Sequence, residues 1–403
     1  MKFFSIKTLA TAALLIISMG VNAQLLKYTS TDSVNGKPEY EAALKGRIRL
    51  NGVYDIKGNL HGNSAFAIHA NDVDGKDRPG MWLSMRQSQI RFDGTRRFKK
   101  GKEIFSRVEA DFDGGPQNRS TFRLRHAFVR YGNFTLGQTW STFGDIDMWP
   151  QSNIDWEGPT GMVRSRRPMI RYTGNITSKL QTELAAELME PRRLFDYTLP
   201  ADPELKGVIN YEPRRSPDVI GTLKYNLLPG FLKIAGIYRN IGYGYQGNYK
   251  SSNGYGVSAM VNLFSGAGKR NNFLLQLNYG KGISDYFLPI GGSGLDGSVD
   301  RIDASKLSLL PVNAGYASYQ HYWTTQFHTL LVASYNKFDG KNNTLGWDSM
   351  QNLYVSANMM FDVVPGLTVG PQFIWGKKSL KFAQGPDKSL PASRVNFGFM
   401  YNF

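Results

Sequence analysis

Apolar residues recur at every second position in many short segments of this sequence. Leu232 and Ile234, for example, alternate with Lys233, and the C-terminal residues 393–403 alternate in the same way. Alternation with period two, with charges on the opposite side, is typical of a β-strand that has one apolar face. About sixteen such strands are predicted. They are residues 45–56, 81–93, 102–113, 121–131, 133–139, 166–174, 180–190, 217–226, 230–239, 253–264, 271–280, 312–322, 324–336, 348–361, 366–376 and 393–403.

Two features of these strands favour a membrane barrel over a soluble β-sandwich. Arg107 and Glu109 lie in the middle of a predicted strand, where the narrow core of a sandwich could not hydrate them. Tyr, Trp and Phe also cluster near strand ends, as in the interfacial girdles of outer-membrane barrels. The predicted fold is therefore all-β, a transmembrane antiparallel β-barrel of about sixteen strands with its apolar face towards lipid.

The predicted connections alternate between short and long, beginning with a long one after the first strand. The short ones include Gly132-Asn133, Leu228–Gly230 and Val364–Gly366, and the long ones include Lys57–Gly80, Pro191–Ser216, Lys281–Pro311 and Lys377–Ala392. Outer-membrane barrels have short periplasmic turns and long external loops. An even number of strands would also leave both chain ends in the periplasm.

The connection between residues 139 and 166 is much longer than a hairpin requires. It has about 25 residues, whereas two to five are enough to join antiparallel strands. We expect Ser141–Val163, the third external loop, to fold into the pore and narrow it. Its acidic and aromatic side chains are Phe143, Asp145, Asp147, Trp149, Asp155, Trp156 and Glu157.

The first 23 residues have the pattern of a secretory signal peptide. Lys2 and Lys7 form a basic head, an apolar run follows, and a small residue, Ala23, ends the segment at the expected cleavage site. Residues 24–44 are interpreted as a short periplasmic N-terminal segment, and residues 45–403 as the barrel. The protein is therefore expected in the cell outer membrane.

Composition excludes some functional classes. The chain has no Cys, so disulfides and thiolate chemistry are excluded. The net charge of +16 suits nucleic acid, an anionic membrane surface or an anionic solute, and export makes nucleic acid the least suitable of these. The five His residues show no metal-ligand spacing, and no Ser lies in a nucleophile-elbow context. We therefore predict no metal, no cofactor and no catalytic residue.

Four motifs lie close together in the first half of the chain. They are LRHAFVRY at residues 124–131, GQTWSTF at 137–143, DWEGP at 155–159 and IRYT at 170–173. This stretch resembles the DcaP-like outer-membrane porins. The resemblance implies a sixteen-stranded homotrimer whose third external loop enters the pore, and small anions such as dicarboxylates as solutes. The C-terminal Tyr401-Asn402-Phe403 resembles the aromatic signal that barrel-assembly machinery recognises. The longer N-terminal extension of many relatives has no counterpart in residues 24–44.

An arginine set is the candidate pore lining. Arginine stays charged and offers planar paired donors to carboxylates, and rings of arginine favour anions. Its predicted members are Arg47, Arg49, Arg91, Arg107, Arg123, Arg125, Arg164, Arg166, Arg167 and Arg171. Alternatively, several of them could pair with the strand acids Glu109, Asp111, Glu183 and Glu187 and simply hydrate a wide channel. The cluster at Arg164, Arg166 and Arg167 could instead contact anionic lipopolysaccharide at the external rim.

The predicted function is passive diffusion of small hydrophilic solutes across the outer membrane, with anions preferred. The acidic loop residues oppose that preference, because they add negative charge to the same pore. One alternative is an oligosaccharide-selective channel, in which Trp140, Trp149 and Trp156 would form a sugar-stacking track. A second alternative is an outer-membrane hydrolase with a Ser or carboxylate at its centre.

Overall fold

A computed structural model describes residues 26–58, 79–99, 101–115, 119–188, 209–210, 214–266, 268, 270–290, 293–300, 303, 305–340 and 346–403. The predicted signal peptide, residues 1–23, lies outside these ranges. So do most of the predicted long connections Lys57–Gly80 and Pro191–Ser216. Within the described ranges, no helix has the length and apolarity needed to cross a membrane.

Sixteen antiparallel strands form one closed barrel, as the sequence predicts. The first eight are β1 (Tyr40–Lys57), β2 (Gly80–Ser84 and Gln89–Arg97), β3 (Glu103–Asp111), β4 (Arg123–Tyr131), β5 (Phe134–Trp140), β6 (Arg166–Asn175), β7 (Leu180–Glu187) and β8 (Asp218–Leu227). The last eight are β9 (Gly230–Tyr245), β10 (Asn248–Ser265), β11 (Asn271–Lys281), β12 (Pro311–Tyr322), β13 (Phe327–Asp339), β14 (Ser349–Val364), β15 (Leu367–Lys381) and β16 (Lys388–Asn402).

Closure brings the last strand back to the first. β16 pairs antiparallel with β1, with Asn402 opposite Arg47 at one end of the ladder and Ser393 opposite Lys57 at the other. Beyond the end of this ladder the backbones of Gly46 and Phe403 exchange two hydrogen bonds, at 2.8 and 2.9 Å. The Phe403 ring lies over Gly46 so closely that a Cβ there would overlap it. A side chain at residue 46 would therefore require the Phe403 ring to move from this position.

Side chains alternate between the two faces of the wall. Along β13, Leu331 and Tyr335 are exposed, whereas Val332 and Ser334 on the other face are buried. Exposed apolar side chains on one face of a closed barrel are those that contact lipid. The alternation read from the sequence therefore places the inward and outward residues correctly.

Short turns and long loops alternate as predicted, with two differences. The turns after β2, β4, β6, β8, β10, β12 and β14 are short and lie at the end where the chain closes the barrel. The predicted loop Lys377–Ala392 is mostly strand, because β15 continues to Lys381 and β16 begins at Lys388. β9 and β10 also extend past their predicted ends to a tight turn at Gln246-Gly247, where both residues have positive φ. In the β9 extension the apolar Ile241 and Tyr243 alternate on the buried inward face, whereas the outward faces of these extensions are mostly polar. The outward apolar face used for the prediction therefore ends before the strands do.

The first strand begins earlier than predicted. β1 starts at Tyr40 rather than at residue 45, and a short strand, Leu26–Thr29, pairs with residues 41–44 of β1. This part of residues 24–44 therefore continues the barrel wall beyond the chain end at Phe403.

Candidate functional site

The connection between β5 and β6, residues 141–165, is fixed at its start by charged side chains of the wall. The carboxylate of Glu187 accepts hydrogen bonds from Ser141 Oγ at 2.7 Å and from the Thr142 backbone N–H at 2.6 Å. Lys233 Nζ donates to the Gly144 carbonyl oxygen at 2.8 Å. Glu187 on β7 and Lys233 on β9 thus set the direction in which the chain leaves β5.

The middle of the 141–165 connection lies against the inner side of β11–β15. Asn358 Nδ2 donates to the Ser152 carbonyl oxygen at 2.6 Å, and Gln372 Oε1 accepts from the Asp155 N–H at 2.7 Å. Further bonds join Asn278 and Gly161, Ser334 and Gly161, Asn336 and Thr160, and Gln320 and Ser152. Buried backbone groups need partners, and uncharged amides and hydroxyls provide them here.

A cavity of about 900 Å³ lies between this connection and the wall, where most of its lining comes from β1–β9 and a smaller part from Tyr322, His328, Asp362, Thr368, Met400 and Asn402. Ten basic and five acidic side chains of the described residues line it. Seven predicted arginines are among them: Arg47, Arg49, Arg91, Arg107, Arg125, Arg164 and Arg171. Arg123, Arg166 and Arg167 lie outside the lining. Lys224 and Lys233, which the sequence analysis did not select, complete the basic set together with Arg130.

Several wall arginines are paired with acids. Arg125 is 3% exposed and bonds to Glu109 at 2.8 Å and to Asp111 at 2.7 Å. Further pairs join Arg107 and Asp93 at 2.7 Å, Arg123 and Asp111 at 2.7 Å, and Arg171 and Glu183 at 3.7 Å. Glu109, Asp111 and Glu183 therefore pair with wall arginines, as in the alternative interpretation of the arginine set. Glu187 instead holds the backbone of the 141–165 connection.

Arg164 differs from the paired arginines. Its guanidinium stacks on Trp149 at 3.7 Å and on Trp140 at 4.4 Å from the ring centroids. Its Nε and Nη1 atoms have no hydrogen-bond partner, and no acid pairs with it among the described residues. Burial, with Arg125 and Arg166 nearby, lowers the pKa of Arg164 well below the ordinary arginine value. Burial and like charges both disfavour the charged form of a cation, and within the described ranges no acid lies beside this one to offset them.

Two further predicted arginines of the cavity lining also lack an acidic partner in the described part of the chain. Arg47 donates to the side-chain oxygen of Asn402 at 2.7 Å. Arg49 is buried and donates to Asn51 and to the Ile154 carbonyl oxygen. Trp156 lies near both Arg49 and Arg125, whose guanidinium carbons are 4.9 and 4.8 Å from its ring centroid.

The four predicted loop acids occupy two environments. Asp145 and Asp147 line the cavity, and Asp145 lies 3.0 Å from Lys224 and 3.3 Å from Lys233. Burial raises the pKa of Asp145, but Lys233 and Lys224 outweigh burial, so the pKa is lowered overall. Burial and the neighbouring Asp145 raise the pKa of Asp147.

Asp155 and Glu157 border a separate small void beside Arg394. Burial, with Asp155 and Asp113 nearby, raises the pKa of Glu157 to about 8. Trp149 lines the main cavity with Asp145 and Asp147. The loop acids that can act on a solute in that cavity are therefore Asp145 and Asp147.

Sequence reasoning missed the inward amides and one buried ionic network. Asn and Gln alternate with apolar residues along β11–β15, and that pattern was available, but its meaning depends on what covers it. Asp218, Arg239 and Asp296 come together from distant parts of the chain, with Arg239 bonded to both acids. No local signal indicates that contact.

Comparisons with known proteins agree with this architecture. Residues 19–190 match the model of the family described as DcaP outer membrane protein. No curated protein matches the chain in sequence. Among solved structures, the outer membrane channel DcaP of Acinetobacter baumannii superimposes with a TM-score of 0.73 at 17% identity, covering 93% of this chain and 99% of that one.

Two other solved structures share the fold. The anion-selective porin from Comamonas acidovorans has a TM-score of 0.58 at 12% identity, covering 91% of this chain and 100% of its own. OmpF of Salmonella typhi has a TM-score of 0.58 at 11% identity, covering 91% and 98%. The family match over residues 19–190 confirms the resemblance to the DcaP-like proteins, and the chain is a sixteen-stranded β-barrel of the outer membrane.

Proposed function

We propose that the protein is a passive diffusion channel for small hydrophilic solutes that prefers anions, dicarboxylates among them. The observation that carries the proposal is Arg164, a cavity-lining guanidinium that two indole rings hold in place and that no acid pairs with in the described part of the chain. The excess of basic over acidic side chains around the cavity supports it.

Positive charge is left uncompensated in the cavity where an arginine has no acid beside it. A paired arginine such as Arg125 contributes little net field, because Glu109 and Asp111 cancel it at short range. Arg164 and Arg47 have no such partner, so their field extends into the cavity. An anion in the cavity would supply the missing partner, whereas a cation would be repelled. We propose that the 141–165 connection narrows the pore at this level.

The oligosaccharide alternative has less support. Sugar stacking needs open indole faces along the path, and Trp140, Trp149 and Trp156 each contact at least one guanidinium. The hydrolase alternative has less support too. A hydrolase would need a Ser with a carboxylate beside it, and Ser141 and Glu187 form such a contact. It is buried, however, and Glu187 also accepts from the Thr142 N–H, so the contact anchors the 141–165 connection.

Further parts of the proposal have separate grounds. Cleavage after Ala23 rests on the signal-peptide pattern of residues 1–23, assembly as a homotrimer on the family resemblance, and recognition of Phe403 by barrel-assembly machinery on the aromatic C-terminal signal. Contact of the external rim with lipopolysaccharide rests on the basic cluster at Arg164, Arg166 and Arg167. Phe403 is held against Gly46 at the closing ladder, where a terminal signal would be presented.

The test is the reversal potential of the purified protein in a planar bilayer under a KCl gradient. We expect chloride to be preferred, and Arg164→Gln to lower the chloride-to-potassium permeability ratio roughly 25-fold. A charge about 4 Å from an ion contributes about 1 kcal/mol in aqueous surroundings, or about fivefold, and it acts in opposite directions on chloride and potassium. Arg96→Gln is the matched control. It removes the same charge from a side chain that is 51% exposed and lies outside the cavity.

Two results would count against the proposal. A preference for potassium in the unmodified protein would show that Asp145 and Asp147 dominate the field. An unchanged ratio in Arg164→Gln would remove Arg164 from the permeation path.

A further inference from the structure

A second loop contacts the exit of the 141–165 connection. The Arg164 N–H donates to the Tyr286 carbonyl oxygen at 2.9 Å, and the Leu288 N–H donates to the Met162 carbonyl oxygen at 3.1 Å. Val163 and Phe287 lie opposite each other between these bonds as an antiparallel bridge. The backbone that carries Arg164 is therefore paired with the loop that follows β11.

A buried ionic network anchors that second loop. The Tyr286 hydroxyl donates to Asp218 at 2.7 Å. Arg239 donates to Asp218 at 3.1 Å and to Asp296 at 2.7 Å, and Asp296 accepts from Ser284 Oγ at 2.8 Å. All five side chains are almost completely buried. We call Asp218, Arg239, Ser284, Tyr286 and Asp296 the anchor network.

Packing links the anchor network to both ends of the 141–165 connection. The Tyr286 ring packs edge-on against Phe143 at a centroid distance of 5.6 Å, near the start of the connection. Arg167, just after its end, lies 4.3 Å from the Tyr286 ring centroid and donates to the Asp285 carbonyl oxygen at 2.7 Å. Tyr286 thus touches the segments that precede and follow the cavity-lining part.

We propose that Tyr286 and the anchor network are positioning residues that fix Arg164 at the cavity through the backbone of residues 162–164. None of the five side chains lines the cavity, so they can act on a solute only through the loops that they hold. A buried, fully bonded ionic cluster defines one geometry, because any displacement leaves a charge without a partner. The effect on ion preference rests on the proposed function, whereas the effect on loop motion does not.

Tyr286→Phe tests the proposal with the smallest change, since it removes one hydroxyl and keeps the ring. Loss of one hydrogen bond to a charged group should shift the equilibrium between the anchored and the released form of the loop after β11 about tenfold. We expect excess noise in the open-channel current to rise several-fold and the chloride preference to fall. Tyr238→Phe is the matched control, because Tyr238 is on β9 next to Arg239 but faces outward and is 51% exposed.

A disulfide provides a rescue that a general loss of stability would not show. Val163 and Phe287 form a non-hydrogen-bonded antiparallel pair, because the hydrogen bonds are made by the residues on either side of them. The Cα atoms of such a pair lie about 4.5 Å apart, which is within the range for a disulfide. The chain has no Cys of its own. Adding Val163→Cys and Phe287→Cys to Tyr286→Phe, then oxidising, should return the noise and the ion preference towards the original values.

The outcomes separate the two proposals. Raised noise in Tyr286→Phe that oxidation of the Cys pair reverses supports positioning, even if the unmodified protein shows no anion preference and the proposed function fails. Noise equal to that of Tyr238→Phe overturns positioning, even if chloride is preferred. If Tyr286→Phe does not form a barrel, Ser284→Ala takes its place, since it removes the anchor bond to Asp296 and keeps the rest of the network. Raised noise that oxidation of the Cys pair reverses then supports the proposal, and noise equal to that of Tyr238→Phe overturns it.

Discussion

The two halves of the barrel interior use different chemistry. Within the described residues, inward side chains of β1–β9 are largely charged, and inward side chains of β11–β15 are largely uncharged amides, hydroxyls and apolar groups. The charged wall carries Arg47, Arg49, Arg91, Asp93, Arg107, Glu109, Asp111, Arg125, Arg171, Glu183, Lys224 and Lys233. The amide wall carries Gln276, Asn278, Gln320, Asn336, Asn352, Asn358 and Gln372.

The difference follows from what each wall faces. The charged wall borders the cavity, where water hydrates charge. The amide wall is covered by the 141–165 connection, whose backbone groups need both donors and acceptors. An amide side chain supplies both without the cost of burying a charge. The side-chain chemistry along the inner face of a barrel strand therefore indicates what covers that strand.

The largest expected effect comes from breaking a pair on the charged wall. Arg125→Met should lower the free energy of unfolding by roughly 3–5 kcal/mol, because Glu109 and Asp111 would keep buried charges with fewer partners. Denaturant titration in detergent micelles measures it. Arg171→Met is the matched control. Its pair with Glu183 is longer, at 3.7 Å, and should contribute at most about 1 kcal/mol. Equal losses in both variants would contradict the assignment.

A smaller effect is expected on the amide wall. Gln372→Leu leaves the Asp155 N–H and the Asn153 side-chain oxygen without their partner, at distances now of 2.7 and 2.5 Å. Each unsatisfied buried group costs about 1–3 kcal/mol, so we expect a loss of roughly 2–4 kcal/mol in the same titration. Gln351→Leu, on the outward face of the neighbouring β14, should cost little. If Gln372→Leu were as stable as this control, the covering loop would not depend on the amide wall.

The smallest effect concerns the loop acids that face the charged wall. Asp147→Asn should raise the chloride preference slightly, since the carboxylate is 62% exposed and hydrated. Partial desolvation by the surrounding chain and the neighbouring Asp145 raise the pKa of Asp147 although its side chain is exposed, so this carboxylate is protonated at a higher pH than an ordinary aspartate. Lowering the pH towards about 3.9 should therefore increase the chloride preference of the unmodified protein more than that of the variant. Reversal potentials at several pH values give the comparison, and identical pH profiles would exclude Asp147 as the titrating group.

The sequence predicted the fold more fully than it predicted the site. All sixteen strands were identified, and errors occurred where β1 begins early and where β9, β10, β15 and β16 continue without an outward apolar face. Seven of ten selected arginines line the cavity. Six of them are strand residues, whose face alternation assigns. The seventh, Arg164, lies in the irregular 141–165 connection, where no period applies, and only the structure separates it from Arg166 and Arg167, which begin β6.

The sequence by itself determined which residues face lipid and which face inward, and hence a closed barrel, because a strand has only two faces and one of them is apolar. Tertiary structure alone decided which charges are cancelled. Arg125 and Arg164 look alike in the sequence, but Glu109 and Asp111 lie beside the first and two indole rings beside the second. Pairing depends on distances of a few ångströms between segments far apart in the chain. Such distances are set by barrel closure and by the covering loop, which local pattern does not encode.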